Sequence, residues 1–202
     1  LTALTPDGGL FEVDMQLRPS GNSGPIATSF KAFSNYHNEQ AWTWEHMALT
    51  RARFVAGPKD LGSEITCIIN KILKSKRNPN QLLKDVAEMR LKINTERGTQ
   101  NRWKLQHVRG GLLDIEFITQ YLQLRHASEF PEILSTDTTS VLKNLTKAGL
   151  ISGVVGENLE KSGKYFKNFQ ALLRLTVGMN RDPRNYPKAL RNRLINQETN
   201  TK

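Results

Sequence analysis

The chain has 202 residues, 38% of them hydrophobic and 24% charged, and a net charge of +10. That length suits one ordinary domain or one and a half small ones. No stretch is apolar for the length a bilayer demands, which excludes a helical membrane span, and the single cysteine, Cys67, excludes an intramolecular disulfide and a thiolate metal cluster.

In chain order, the first residues lack the basic flank and long apolar core of a signal peptide, and no Met precedes Leu1, so the expectation is a cytoplasmic chain cut from something longer. Residues 10–18 alternate, with Phe11, Val13, Met15 and Leu17 on one face and Glu12, Asp14, Gln16 and Arg18 on the other. Period two predicts a strand, with Gly8-Gly9 and Pro19 as its boundaries. Residues 19–25, Pro-Ser-Gly-Asn-Ser-Gly-Pro, predict a turn-rich loop.

Thr28 or Ser29 can cap a helix carrying Phe30, Phe33, Tyr36 and Ala41, and the run Trp42–Leu49 is expected to continue it. Residues 51–57 read as a short strand or a helix end. Gly57-Pro58 is a breaker and the expected domain boundary. Beyond it Leu61, Ile65, Ile68, Ile69, Ile72 and Leu73 make one helical stripe, interrupted at Asn78-Pro79-Asn80 and resumed by Leu82, Val86, Met89 and Ile93. A polar linker is expected over 96–103. A helix follows from Leu112 to Leu124, entered through Gly110-Gly111, and then a short one around Val141, Leu142 and Leu145 ending at Gly149. Tyr165, Phe166, Phe169, Leu172, Leu173 and Val177 mark a last long helix, and past Pro183 a basic, polar, frayed end is expected.

Three stretches could carry chemistry. Asp14 stands mid-strand with Arg18 on the same face, an unfavoured place for a carboxylate. Either it pairs with a neighbouring arginine on an exposed sheet face, or it holds magnesium beside an arginine that binds phosphate. The loop Arg18–Pro25 fits the second reading, since Ser20 can donate to phosphate oxygens and Gly21 lets backbone amides come close. In Trp42-Thr43-Trp44-Glu45-His46 the tryptophans read as packing residues, with Glu45 paired to Arg51 or Arg53. His46 has no second His or Cys at metal-ligand spacing. Gly110-Gly111 ahead of a helix leaves amides for an anion, while Asp114 complements the helix dipole.

Taken together, Leu10–Gly21, Ala41–His46 and Gly110–Ile118, in this order and at these separations, resemble bacterial glutamine synthetase adenylyltransferase, and Glu88-Met89-Arg90 looks similar too. The wording Ala-Trp-Thr-Trp-Glu-His resembles the C-terminal, adenylylating domain of that two-domain family. The resemblance implies a mainly α fold with a small β part. Residues 1–57 would end a polymerase-β-type nucleotidyltransferase domain and residues 58–202 would form a helical domain. It implies ATP as substrate, magnesium (Mg2+) as cofactor, a tyrosine of glutamine synthetase as acceptor and a PII signal protein as a further candidate partner, with no membrane.

By the family's pattern Asp14 would be the catalytic metal carboxylate, and Arg18, Ser20 and Gly21 would face the triphosphate. Glu45, Arg51 and Arg53 would brace the site, and Gly110, Gly111 and Asp114 would bring the helical domain against it. The family's Gly-Ser turn and its Asp-x-Asp pair lie upstream of this strand, and nothing before Leu10 matches them. Two of three metal carboxylates are missing, so the chain alone is expected to be inactive. Two readings stand beside this one. The first is a relative that uridylylates a PII-type protein. The second is a non-catalytic basic helical module docking a regulator or nucleic acid through Lys74-Ser75-Lys76-Arg77 and 181–193; nucleic acid is the less expected of those partners.

Overall fold

Apolar periodicity organises most of the chain into helices. A computed structural model describes residues 4–6, 8–9, 14–15, 17–101, 103–177, 186–189 and 192. They form a two-stranded hairpin, β1 (Leu4–Thr5) and β2 (Gly8–Gly9), and seven helices. These are α1 (Phe30–Glu39), α2 (Thr43–Leu49), α3 (Lys59–Leu73), α4 (Pro79–Arg97), α5 (Leu112–His126), α6 (Thr138–Lys147) and α7 (Gly153–Val177).

The N-terminal strand is the main departure from expectation. Of residues 10–18, Leu10, Phe11, Glu12, Val13 and Gln16 lie outside the described residues. Asp14 and Met15 carry no regular structure, and Leu17 and Arg18 are in a bend. Gly8 and Gly9 bound no longer strand; they are β2 themselves, paired antiparallel with Thr5 and Leu4. Alternation alone makes no strand, since a strand persists only where a neighbour takes up its backbone groups.

Helix boundaries follow local chemistry. The Ser29 hydroxyl accepts from the Ala32 amide to start α1. The chain breaks at Gln40–Trp42, and α2 starts anew rather than continuing α1. Asn78-Pro79, read as an interruption, is the start of α4. The Asn78 side chain accepts from the Asn80 and Gln81 amides, and Pro79 sits where its missing N–H costs nothing. Gly149 ends α6 as expected, at φ +71°, and the Leu150 amide returns to the Leu145 carbonyl. The last helix begins at Gly153, well before its aromatic stretch. Residues 51–57 are neither strand nor helix.

Three buried clusters hold the helices. Met47 of α2, Leu73 of α3, Leu82 and Val86 of α4 and Leu124 of α5 pack together. Ile133, Val141 and Leu145 join α6 to the turn before it. Leu105 and Phe169 enclose Tyr186, with Trp103 stacked on Phe169 at 5.8 Å. The expected linker over 96–103 thus delivers Trp103 into packing, and Tyr186 is an anchor in a region expected to be frayed. Most of 178–202 lies outside the described residues.

Helix α2 is fastened to the later helices along its whole length. At its start Thr43 donates to Asp85 of α4, and past its end Arg51 pairs with Glu116 of α5 at 2.7 Å. Met47 lies between them, 3% exposed.

Candidate functional site

The turn after Asp14 is shaped by Arg18. Its guanidinium donates to the carbonyls of Met15 and Gly24, closing the loop on itself. Ser20 (φ 60°) and Gly21 (φ 51°) take consecutive left-handed conformations at the tip, a costly geometry for the serine. Asp14 is exposed.

Behind this turn stands a network with Glu45 at its centre. The Tyr36 hydroxyl donates to Glu45 Oε1 at 2.8 Å, and the Trp42 amide donates to Glu45 Oε2 at 2.8 Å. Glu45 occupies the third position of α2, where a carboxylate reaching back to the start of the helix satisfies an orphan amide and complements the dipole. The Ser20 backbone lies close enough to the same phenol to act on its pKa. Burial and then the bond to Glu45 raise the Tyr36 pKa, against a lowering by the Ser20 contact.

The sequence predicts a pair between Glu45 and Arg51 or Arg53. Instead Arg51 reaches Glu116, and Glu45 is buried with Tyr36. Helical geometry explains this, because Glu45 is in the first turn of α2 while the arginines lie beyond its last. Arg53 is exposed. The tryptophans are not core residues either: Trp42 is 71% exposed and Trp44 40%.

Beside Glu45 lie two histidines. His46 Nε2 bonds the His37 carbonyl at 2.9 Å, the rings are 5.7 Å apart, and His37 Nδ1 is buried without a partner. Burial, followed by repulsion from His46, pushes the His37 pKa down to about 4. His46 is also lowered, first by burial. Both are neutral at pH 7. Among the described residues no three His, Cys, Asp or Glu side chains converge on a possible metal position. Asp14 is one exposed carboxylate, and a magnesium ion held by it would take its remaining ligands from elsewhere.

The Gly110-Gly111 entry to α5 departs from the anion-site reading. The Gly110 amide is donated to the Asp114 carboxylate, Gly111 to Val108, Leu112 to Leu105 and Leu113 to Gln106. An anion would find these donors already used. Gly110 is at φ +79°, and a side chain on Gly111 would strike the Leu105 carbonyl. The glycines therefore serve a tight approach. Asp114 also pairs with Arg90, joining α4 to α5.

The sequence places Arg77 in a basic run expected at the surface. It instead donates to the carbonyls of Ile72, Leu73, Ser75 and Leu124, closing the end of α3 against α5. Burial lowers its pKa to about 10. Sequence reasoning also passed over Tyr36 and His37 as site residues. The one available signal was Glu45 three residues after Trp42, a helix-start pattern that requires the glutamate to turn inward.

Comparison with known proteins finds similarity to an adenylyltransferase family and a uridylyltransferase family. Residues 1–67 match the family model described as glutamate-ammonia ligase adenylyltransferase, and residues 87–183 match that of GlnD PII-uridylyltransferase. Over 95% of its length the chain is 41% identical to a bifunctional glutamine synthetase adenylyltransferase/adenylyl-removing enzyme of Xanthobacter autotrophicus. Over 90% it is 43% identical to one of Rhodopseudomonas palustris. The chain is therefore related, over nearly its whole length, to a segment of those bifunctional enzymes. It spans 19% and 18% of the length of these two relatives. No helix among the described residues is long and apolar enough to cross a membrane.

Proposed function

We propose that the chain forms the end of the adenylylating half of a glutamine synthetase adenylyltransferase. Residues 1–57 close a polymerase-β-type nucleotidyltransferase domain, and residues 58–202 are the helical domain on which it rests. The reaction is transfer of AMP from ATP to a tyrosine of glutamine synthetase. The phenol oxygen attacks the α-phosphorus, the bond to pyrophosphate breaks, and the phenolic proton is lost. The observation that carries this reading is the 41–43% identity to bifunctional enzymes of that name over 90–95% of the chain.

Within that reading Asp14 is a carboxylate ligand of the catalytic cation. Magnesium is the expected ion, and it would neutralise charge on the phosphates. Arg18 holds the shape of the turn, Ser20 and Gly21 face the triphosphate, and Glu45 fixes that turn's support through Tyr36. Arg51 braces the same region by its bond to Glu116, and Arg53 lies at its edge. The setting is the cytoplasm, and a PII-type signal protein is a further partner.

The match of residues 87–183 to PII-uridylyltransferases favours a second reading, UMP transfer to a PII-type protein. One assay separates them. The full gene product is given labelled ATP or UTP with glutamine synthetase or PII protein. The expected result is AMP on glutamine synthetase, lost by at least about 100-fold in Asp14→Ala, and no incorporation by residues 1–202 alone. UMP transfer to PII, or full activity in Asp14→Ala, would overturn the reading.

A further inference from the structure

Helices α4 and α5 leave a groove of about 500 Å³ between them, and its lining is mostly apolar. Leu83 and Leu91 on α4 and Ile118 on α5 are 51%, 66% and 41% exposed. Leu83, Ala87 and Leu91 recur every four residues, so they form a row about 12 Å long on one side. Phe117 and Tyr121 form the other side, and the same two side chains pack against the buried cluster around Leu124. The walls are thus rigidly supported while the groove between them is open. Contiguous apolar surface of this kind marks a place of association rather than a scattered exposed leucine.

Charge selects the occupant. Among the lining residues Asp114 is the one carboxylate, and it is spent on Arg90. Arg109 lies exposed at the same end. His107 nearby is held below its ordinary pKa by burial and then by Arg97, Arg90 and Lys104. A second copy of this chain, itself at +10, would bring like charges together. Nucleic acid would satisfy the cations and leave the leucine row uncovered.

We propose that the α4/α5 groove docks an amphipathic helix of a partner protein, its apolar face seated on Leu83, Leu91 and Ile118 and its acidic end at Arg109. The occupant meets the row at i, i+4 and i+7 positions, as helix-in-groove recognition requires. The groove does not use Asp14, Ser20 or Glu45, so the proposal stands whether or not the adenylyl-transfer reading does.

The test is fluorescence anisotropy with the full gene product and a labelled peptide of about 16 residues, carrying leucine at those spacings and glutamate elsewhere, beside its lysine counterpart. The expected result is micromolar binding of the acidic peptide only, weakened about tenfold in Leu91→Asp and in Arg109→Glu. Both side chains are exposed, so neither substitution removes packing; an unchanged thermal midpoint verifies this. No binding of the acidic peptide up to about 1 mM, equal binding of both peptides, or unchanged binding in Leu91→Asp would overturn the proposal. So would displacement of the peptide by a short single-stranded oligonucleotide, or sedimentation showing a dimer that Leu91→Asp dissociates.

Discussion

Replacing Met47 by alanine tests whether α2 belongs to the body formed by the later helices. The side chain is 3% exposed and meets buried residues from three other helices, Leu73, Leu82, Val86 and Leu124. Truncating a buried methionine removes its transfer free energy and leaves a cavity, for a cost of about 2–5 kcal/mol. The cavity can close only if α3, α4 and α5 shift together, and Thr43–Asp85 and Arg51–Glu116 hold α2 at both ends. The upper half of the range, about 3–4 kcal/mol, is therefore expected. With a urea slope of roughly 2 kcal/mol/M, the midpoint falls by about 1.5–2 M at unchanged slope. Met47→Leu, which nearly conserves volume, costs less than about 1.5 kcal/mol. Two results would refute the reasoning. One is a loss below about 1 kcal/mol in Met47→Ala. The other is an early transition confined to the first 57 residues, which would mean the chain divides at Gly57-Pro58 in stability.

Three further outcomes are expected. Tyr36→Phe and Glu45→Gln, measured singly and together by urea unfolding, give a coupling of about 1–2 kcal/mol, because the bond between them is charge-assisted and partly buried; additive losses would show that Glu45 acts only on the start of α2. Stability falls with acid between pH 6.5 and about 4: His37 titrates near 4 when folded and near 6.5 when unfolded, so the unfolded chain binds the proton first and the stability present above 6.5 is lost on descending that window. His37→Leu should flatten this slope, leaving the smaller contributions of His46, His107 and His126, and an unchanged slope would place the titration elsewhere. Arg77→Lys costs about 1–3 kcal/mol, since one ammonium cannot serve the four carbonyls that the guanidinium fork reaches; thermal unfolding at wild-type temperature would show that these carbonyls find other donors.

Helices were legible where a local rule suffices. The stripe from Leu61 to Leu73, the cap at Ser29 and the stop at Gly149 each depend on a few adjacent residues, and each is found. Asn78-Pro79 contained the right information, but the same residues mark a break and a helix start, and only the direction of the Asn78 side chain separates the two. The expected strand around Asp14 could not be judged by alternation, which says which residues share a face and nothing about whether a neighbouring strand is present.

The site divides in the same way. Sequence alone determined the mainly helical class and the relationship to adenylyltransferases, because spacing and residue identity along the chain carry both. It also singled out Asp14, Ser20 and Glu45. Tertiary structure decided the partners. Glu45 holds Tyr36, Arg51 crosses to Glu116, Asp114 takes the amide that an anion would need, and Arg77 turns inward. A charged side chain can reach many neighbours within several ångströms, and which of them it meets is set by how helices distant in sequence pack.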